Sequence, residues 1–66
     1  MAGPPTDAAG EVYFEFTVIG PAVRVAAIDA ATGVEVTAIG PAGAARADLE
    51  QLALAKLKAR LRRLPA

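Results

Sequence analysis

The sequence contains no cysteine, histidine, tryptophan, serine or asparagine. Without cysteine there is no disulfide, and without cysteine or histidine the usual structural zinc site has no ligands. The commonest nucleophiles, the neutral-pH proton shuttle and the soft metal ligands are thus missing together. Glycines occur singly at turns, so there is no phosphate-cradling loop. Glu11, Glu15 and Glu35 could in principle supply paired carboxylates, but Glu11 and Glu15 fall on the polar side of their segment. These absences predict a protein that is not an enzyme and has no cofactor, metal or small-molecule substrate. Net charge is lacking too: seven basic and seven acidic side chains cancel, so no overall field draws the chain to nucleic acid or an anionic membrane. Hydrophobic types make up 55% of the residues, yet Arg24, Asp29 and Glu35 break the apolar runs well before the roughly 18 residues a membrane span needs. No membrane association is expected. The N-terminus lacks a charged region followed by an apolar one, and a cytoplasmic location is the expectation.

At 66 residues the chain makes one domain at most. A domain of that size buries only about 60% of the surface its unfolded chain exposes. With the covalent and metal staples excluded, either the core or a partner must supply the stability, and self-association is one of the few ways to add buried apolar area.

What is present is organised around Glu11-Val12-Tyr13-Phe14-Glu15-Phe16-Thr17-Val18-Ile19. Strict alternation puts Val12, Phe14, Phe16 and Val18 on one face, the period of a half-buried strand. Both phenylalanines are on that face, which makes this strand the expected anchor of the core. Residues 1–10 show no apolar periodicity and are rich in small, turn-prone types, so a flexible N-terminal arm is expected there. Residues 11–64 form the single domain.

Gly20-Pro21 ends the first alternating run, and residues 23–29 resume it with Val23, Val25 and Ala27 on one side, which predicts a hairpin. With Gly20 and Pro21 as loop residues, Val18 faces Val23, Phe16 faces Val25 and Phe14 faces Ala27. A slip of one residue would send one strand's apolar set to the wrong side. In the next turn, Asp29-Ala30-Ala31-Thr32-Gly33, Asp29 can cap through its carboxylate and Gly33 can take a positive φ. Residues 34–39 then add a third strand, with Ala27 facing Val36 and Val25 facing Ala38. Ile-Gly-Pro-Ala occurs at residues 19–22 and again at 39–42. Such a string is too short to be a repeat unit, and we read the first copy as a hairpin and the second as the exit to a helix.

Over residues 44–64 the period becomes helical, with Leu49, Ala53, Leu54, Leu57, Leu61 and Leu64 on one stripe. Asp48 and Glu50 near its start, and Lys56, Lys58, Arg60, Arg62 and Arg63 near its end, suit the helix macrodipole. The fold class is therefore α+β: a three-stranded antiparallel β-meander with one C-terminal helix packed on one face, in the order βββα.

Two surfaces remain. The open sheet face carries Tyr13, Thr17, Ile19, Arg24, Ile28 and Ile39, and Leu52 lies on the far side of the helix. Three isoleucines and a tyrosine on one face predict a protein contact. The leading expectation is a small interaction module that self-associates or docks on a larger protein through the open face or an edge strand. The alternative is a small nucleic-acid-binding module using Lys58, Arg62 and Arg63 at the basic helix end. No aromatic platform accompanies those cations.

The string Glu-Val-Tyr-Phe-Glu-Phe, followed by Ala27-Ile28-Asp29, Thr32-Gly33-Val34-Glu35-Val36, Ile39-Gly40-Pro41-Ala42, Asp48-Leu49-Glu50 and Leu52-Ala53, resembles a family of short uncharacterised bacterial proteins. It covers roughly residues 11 to 64. That family has no assigned activity, cofactor or site residues, so the resemblance implies the order of strands and helix and nothing about mechanism. One departure is the missing polar cap near Ala44 or Ala45, which bears on the helix start alone.

Overall fold

The alternating runs become strands and the 3.6-period run becomes a helix. The computed structural model describes residues 11–64, and the arm expected over residues 1–10 lies outside them. Strand β1 (Val12–Ile19), β2 (Ala22–Asp29) and β3 (Glu35–Pro41) are followed by α1 (Arg46–Arg62). The sheet has the order β1-β2-β3. Both pairings are antiparallel, with Phe14 opposite Ala27 and Phe16 opposite Val25 on one side of β2, and Ala27 opposite Val36 and Val25 opposite Ala38 on the other. These are the registers predicted from the turns.

Local chemistry fixes both turns. Gly20 takes φ +57° and Pro21 cannot take a positive φ, so the first hairpin is closed by a loop of the type II′ kind, which suits the strand twist. In the second turn Gly33 takes φ +77°. Its N–H donates to the Asp29 carbonyl at 2.7 Å, and the Asp29 N–H donates to the Val34 carbonyl at 2.8 Å. The buried Asp29 carboxylate accepts from the Thr32 N–H at 3.0 Å and from the Thr32 hydroxyl at 2.7 Å. That hydroxyl in turn accepts from the Val34 N–H at 3.2 Å.

The two Ile-Gly-Pro-Ala strings meet at one end of the sheet, where the Ala42 N–H donates to the Pro21 carbonyl at 2.8 Å. Their glycines serve different ends. Gly20 supplies the positive φ, whereas a Cβ on Gly40 would lie 2.5 Å from Leu49 Cδ2. Gly40 is therefore bare because a helix leucine packs onto it.

Helix α1 starts two residues later than the periodicity suggests. Ala45 occupies the N-cap with no side-chain hydrogen bond, and Asp48 supplies the negative charge in the first turn. Arg60 and Arg62 lie in the last turn, the arrangement the macrodipole favours. Leu49, Ala53 and Leu57 are buried, Leu54 and Leu61 are half-buried, and Leu64, past the helix end, is exposed.

The centre of the core differs from expectation. The helix lies over β2 and β3 rather than over β1. Val23, Val25, Ala27 and Ala38 are therefore buried against Leu49, Ala53 and Leu57, while Val12, Phe14 and Phe16 pack only partly against that cluster. Val18, on the same face, is 66% exposed. Strand β1 is the margin of the core, and β2 is its anchor. The physical reason is connectivity: α1 follows β3 after a short turn and stays beside it, so its contacts fall on β3 and β2.

Candidate interaction surface

The open sheet face can be read rung by rung. Tyr13, Ile28 and Glu35 stand side by side; next come Glu15, Ala26 and Thr37, then Thr17, Arg24 and Ile39, and last Ile19, Ala22 and Pro41. Ile39 is 67% exposed, Ile19 52% and Tyr13 40%, while Ile28 is half-buried and Thr17 and Arg24 are exposed. The face thus carries two apolar patches. Ile19, Ile39 and Pro41 form one at the Gly20-Pro21 end, Tyr13 and Ile28 form the other, and the Glu15–Ala26–Thr37 rung separates them. Ala26 is buried despite facing outward. Leu52, exposed on α1, is on the opposite side of the sheet, so the structure does not bring it together with the other six candidates.

On the helix side a groove runs between β1 and α1. Val12, Phe14, Leu54, Leu57 and Leu61 line it, with Glu11, Asp29 and Lys58 at its polar margin. It exists because the helix is displaced from β1. At the other end of β1 the Arg46 guanidinium carbon sits 4.6 Å from the centroid of the Phe16 ring, within cation–π range. Sequence reasoning placed Leu54 and Leu61 in the core stripe and passed over Arg46. The signal for the leucines was their position at the rim of the stripe, whereas nothing in the sequence pairs Arg46 with Phe16.

The basic helix end is divided. Lys56 and Arg60 flank β3 beside Glu35, Val36 and Thr37, and the Lys56 ammonium donates to the Thr37 carbonyl at 2.5 Å. Lys58 borders the groove on the β1 side. Arg62 and Arg63 are exposed at the helix end. Lys58, Arg62 and Arg63 therefore extend from the groove margin to the helix terminus, and two neighbouring cations turn to the opposite flank.

The edges of the sheet also differ. Because the Glu11 carbonyl accepts from the Ala30 N–H, strand alternation turns the backbone groups of Tyr13, Glu15, Thr17 and Ile19 toward β2. Those of Val12, Phe14, Phe16 and Val18 face away from β2, toward an edge that no other described strand pairs. By the same argument from the Asp29–Val34 bond, Glu35, Thr37, Ile39 and Pro41 face the outer edge of β3. There Lys56 occupies the Thr37 carbonyl and Pro41 has no N–H to offer.

Among the described residues, no group of three or more His, Cys, Asp and Glu side chains comes together in a way that could hold a metal ion. Among them, too, no helix is long and apolar enough to cross a membrane.

A family model described as "Domain of unknown function (DUF6898)" matches residues 9–64, and the chain belongs to that family. No curated protein and no solved structure matches it.

Proposed function

We propose, for this member of a family without an assigned activity, a small non-catalytic protein-interaction module. The observation that carries this reading is the exposure of Ile19, Ile39 and Tyr13 on a sheet face that no element among the described residues covers. Burying a side chain the size of isoleucine is worth about 1.5–3 kcal/mol, so a partner seated on that end of the sheet gains from each one it covers. The residue inventory supports the non-catalytic half: a chain without His, Cys or Ser has few groups to activate as a nucleophile or to shuttle protons at neutral pH. A cytoplasmic setting is part of the same proposal, since a chain without cysteine needs no oxidising compartment.

Nucleic-acid binding through Lys58, Arg62 and Arg63 finds less support. Phosphate binding rests on several cations acting together, and here Lys56 and Arg60 face the other flank of the helix.

The test is affinity purification with mass spectrometry, using the wild-type chain and an Ile39→Lys variant as parallel baits. The wild type should retain a defined protein other than itself, and the variant should lose it while keeping its circular dichroism spectrum. Identical retained sets from both baits would overturn the role given to the open face.

A further inference from the structure

An edge strand with free backbone groups invites pairing, and proteins blunt such edges with lysine, proline, bulges or short strands. The outer edge of β3 is blunted in two of these ways, by Lys56 on the Thr37 carbonyl and by Pro41 at its end. Strand β1 has neither device. It is eight residues long, regular, and free of lysine and proline. We infer that β1 is a pairing edge for a second copy of this chain, joining two three-stranded sheets into one six-stranded antiparallel sheet with both helices on the same face. The inference rests on the interaction-module reading and adds to it a second surface, distinct from the open face, and a partner for that surface.

Three features of β1 support a second copy as the occupant. The first is self-complementarity. With a two-fold axis through Phe14, the outward backbone groups of Val12, Phe14 and Phe16 meet those of the partner's Phe16, the partner's Phe14 and the partner's Val12. On the helix side this sets ring against ring and ring against valine, pairs that stabilise antiparallel sheets. The second is charge. The same axis places Tyr13 opposite the partner's Glu15 and Glu11 opposite the partner's Thr17. Moving the axis to Glu15 would oppose two carboxylates at the closer, non-hydrogen-bonded spacing. Moving it to Phe16 would bring together two Arg46 guanidinium groups, each already seated on a Phe16 ring. Of these three axes, only the one through Phe14 avoids both. The third is space. Because α1 lies over β2 and β3, the groove lined by Val12, Phe14 and Leu61 is open beside β1, and the partner's Phe16, opposite Val12, arrives at its mouth. A helix centred on β1 would have left no room there.

The test uses the absence of native cysteine. Two full-length variants, Tyr13→Cys and Glu15→Cys, change exposed side chains on the open face. They are mixed in a glutathione redox buffer, and the disulfide-linked species are weighed by mass spectrometry. Paired non-hydrogen-bonded positions lie close enough for a disulfide, whereas residues displaced along the strand do not. The mixture should give a mixed disulfide well above the share that random pairing gives, and neither variant alone should cross-link appreciably. Sedimentation of the wild type should show a species of twice 6.7 kDa that dissociates on dilution. A wild type that stays monomeric throughout overturns the inference, and so does a dimer whose cysteine variants cross-link only at random. A dimer that Ile39→Lys dissociates would place the contact on the open face, refuting the β1 edge while leaving the interaction module standing. Loss of both self-association and the Ile39-dependent partner would remove the module reading itself.

Discussion

The guanidinium of Arg46 lies over the ring of Phe16, 4.6 Å from its centroid, and so ties the first turn of the helix to the strand that the helix otherwise leaves uncovered. At an exposed site such a contact is worth about 0.5–1 kcal/mol. Arg46→Ala should therefore lower the melting temperature modestly. A double-mutant cycle with Phe16→Leu should show coupling of that size, and additive losses would mean the contact contributes nothing.

The displaced helix ranks the core positions. Leu57 is fully buried, and Leu57→Ala should cost about 2–5 kcal/mol, enough to unfold a domain whose whole stability is near the low end of the usual range. Phe14 is only half-buried. Phe14→Ala should cost less, about 1–2 kcal/mol, and the variant should keep its circular dichroism spectrum at room temperature. Urea melts showing Phe14→Ala to be the more damaging would return the centre of the core to β1.

Gly40 is bare for the sake of Leu49. Gly40→Ala places a methyl 2.5 Å from Leu49 Cδ2, and such overpacking should cost about 1–3 kcal/mol. Leu49→Val in the same chain removes part of the obstruction and should recover some of the loss. Thermal melts of the two single variants and the double variant check this, and simple additivity would refute it.

The second turn depends on one carboxylate. Asp29→Ala removes the acceptor of both Thr32 bonds and leaves those donors to water, at a cost of about 1–2 kcal/mol. Asp29→Asn keeps a carbonyl oxygen of the same reach and should lose less. The midpoints of urea denaturation give the order, and equal losses would show that the charge, rather than the acceptor, holds the turn.

Registers and turns were legible in the sequence because both are local. A period of two says which side chains share a face, and Gly20-Pro21 and Asp29 through Gly33 leave little choice of loop. The placement of the helix was not legible. Alternation tells which face of the sheet α1 covers, but not which strands, so Phe14 and Phe16 were expected at the centre when they stand at the margin. Leu52 was legible as a far-side helix residue, because the 3.6-residue period puts it outside the stripe of Leu49, Ala53 and Leu57, and it is exposed there. The difference between the edges was hidden, because it depends on a lysine of α1 reaching a β3 carbonyl 19 residues away in sequence, and no periodicity records that.

The two glycines of the Ile-Gly-Pro-Ala strings also differ in handedness. At Gly20 the backbone has φ +57° and a built Cβ meets nothing within 4 Å, so the demand is for mirror-image backbone geometry and space is free. D-alanine introduced there by chemical synthesis would satisfy that geometry and narrow the unfolded ensemble, stabilising the chain by about 0.4–1 kcal/mol, while L-alanine would strain it. At Gly40 the φ is ordinary and the obstruction is a neighbouring leucine, so L-alanine meets Leu49 and D-alanine gains nothing from the backbone. One tetrapeptide used twice thus carries two unrelated stereochemical demands, and a pair of enantiomeric alanines tells them apart.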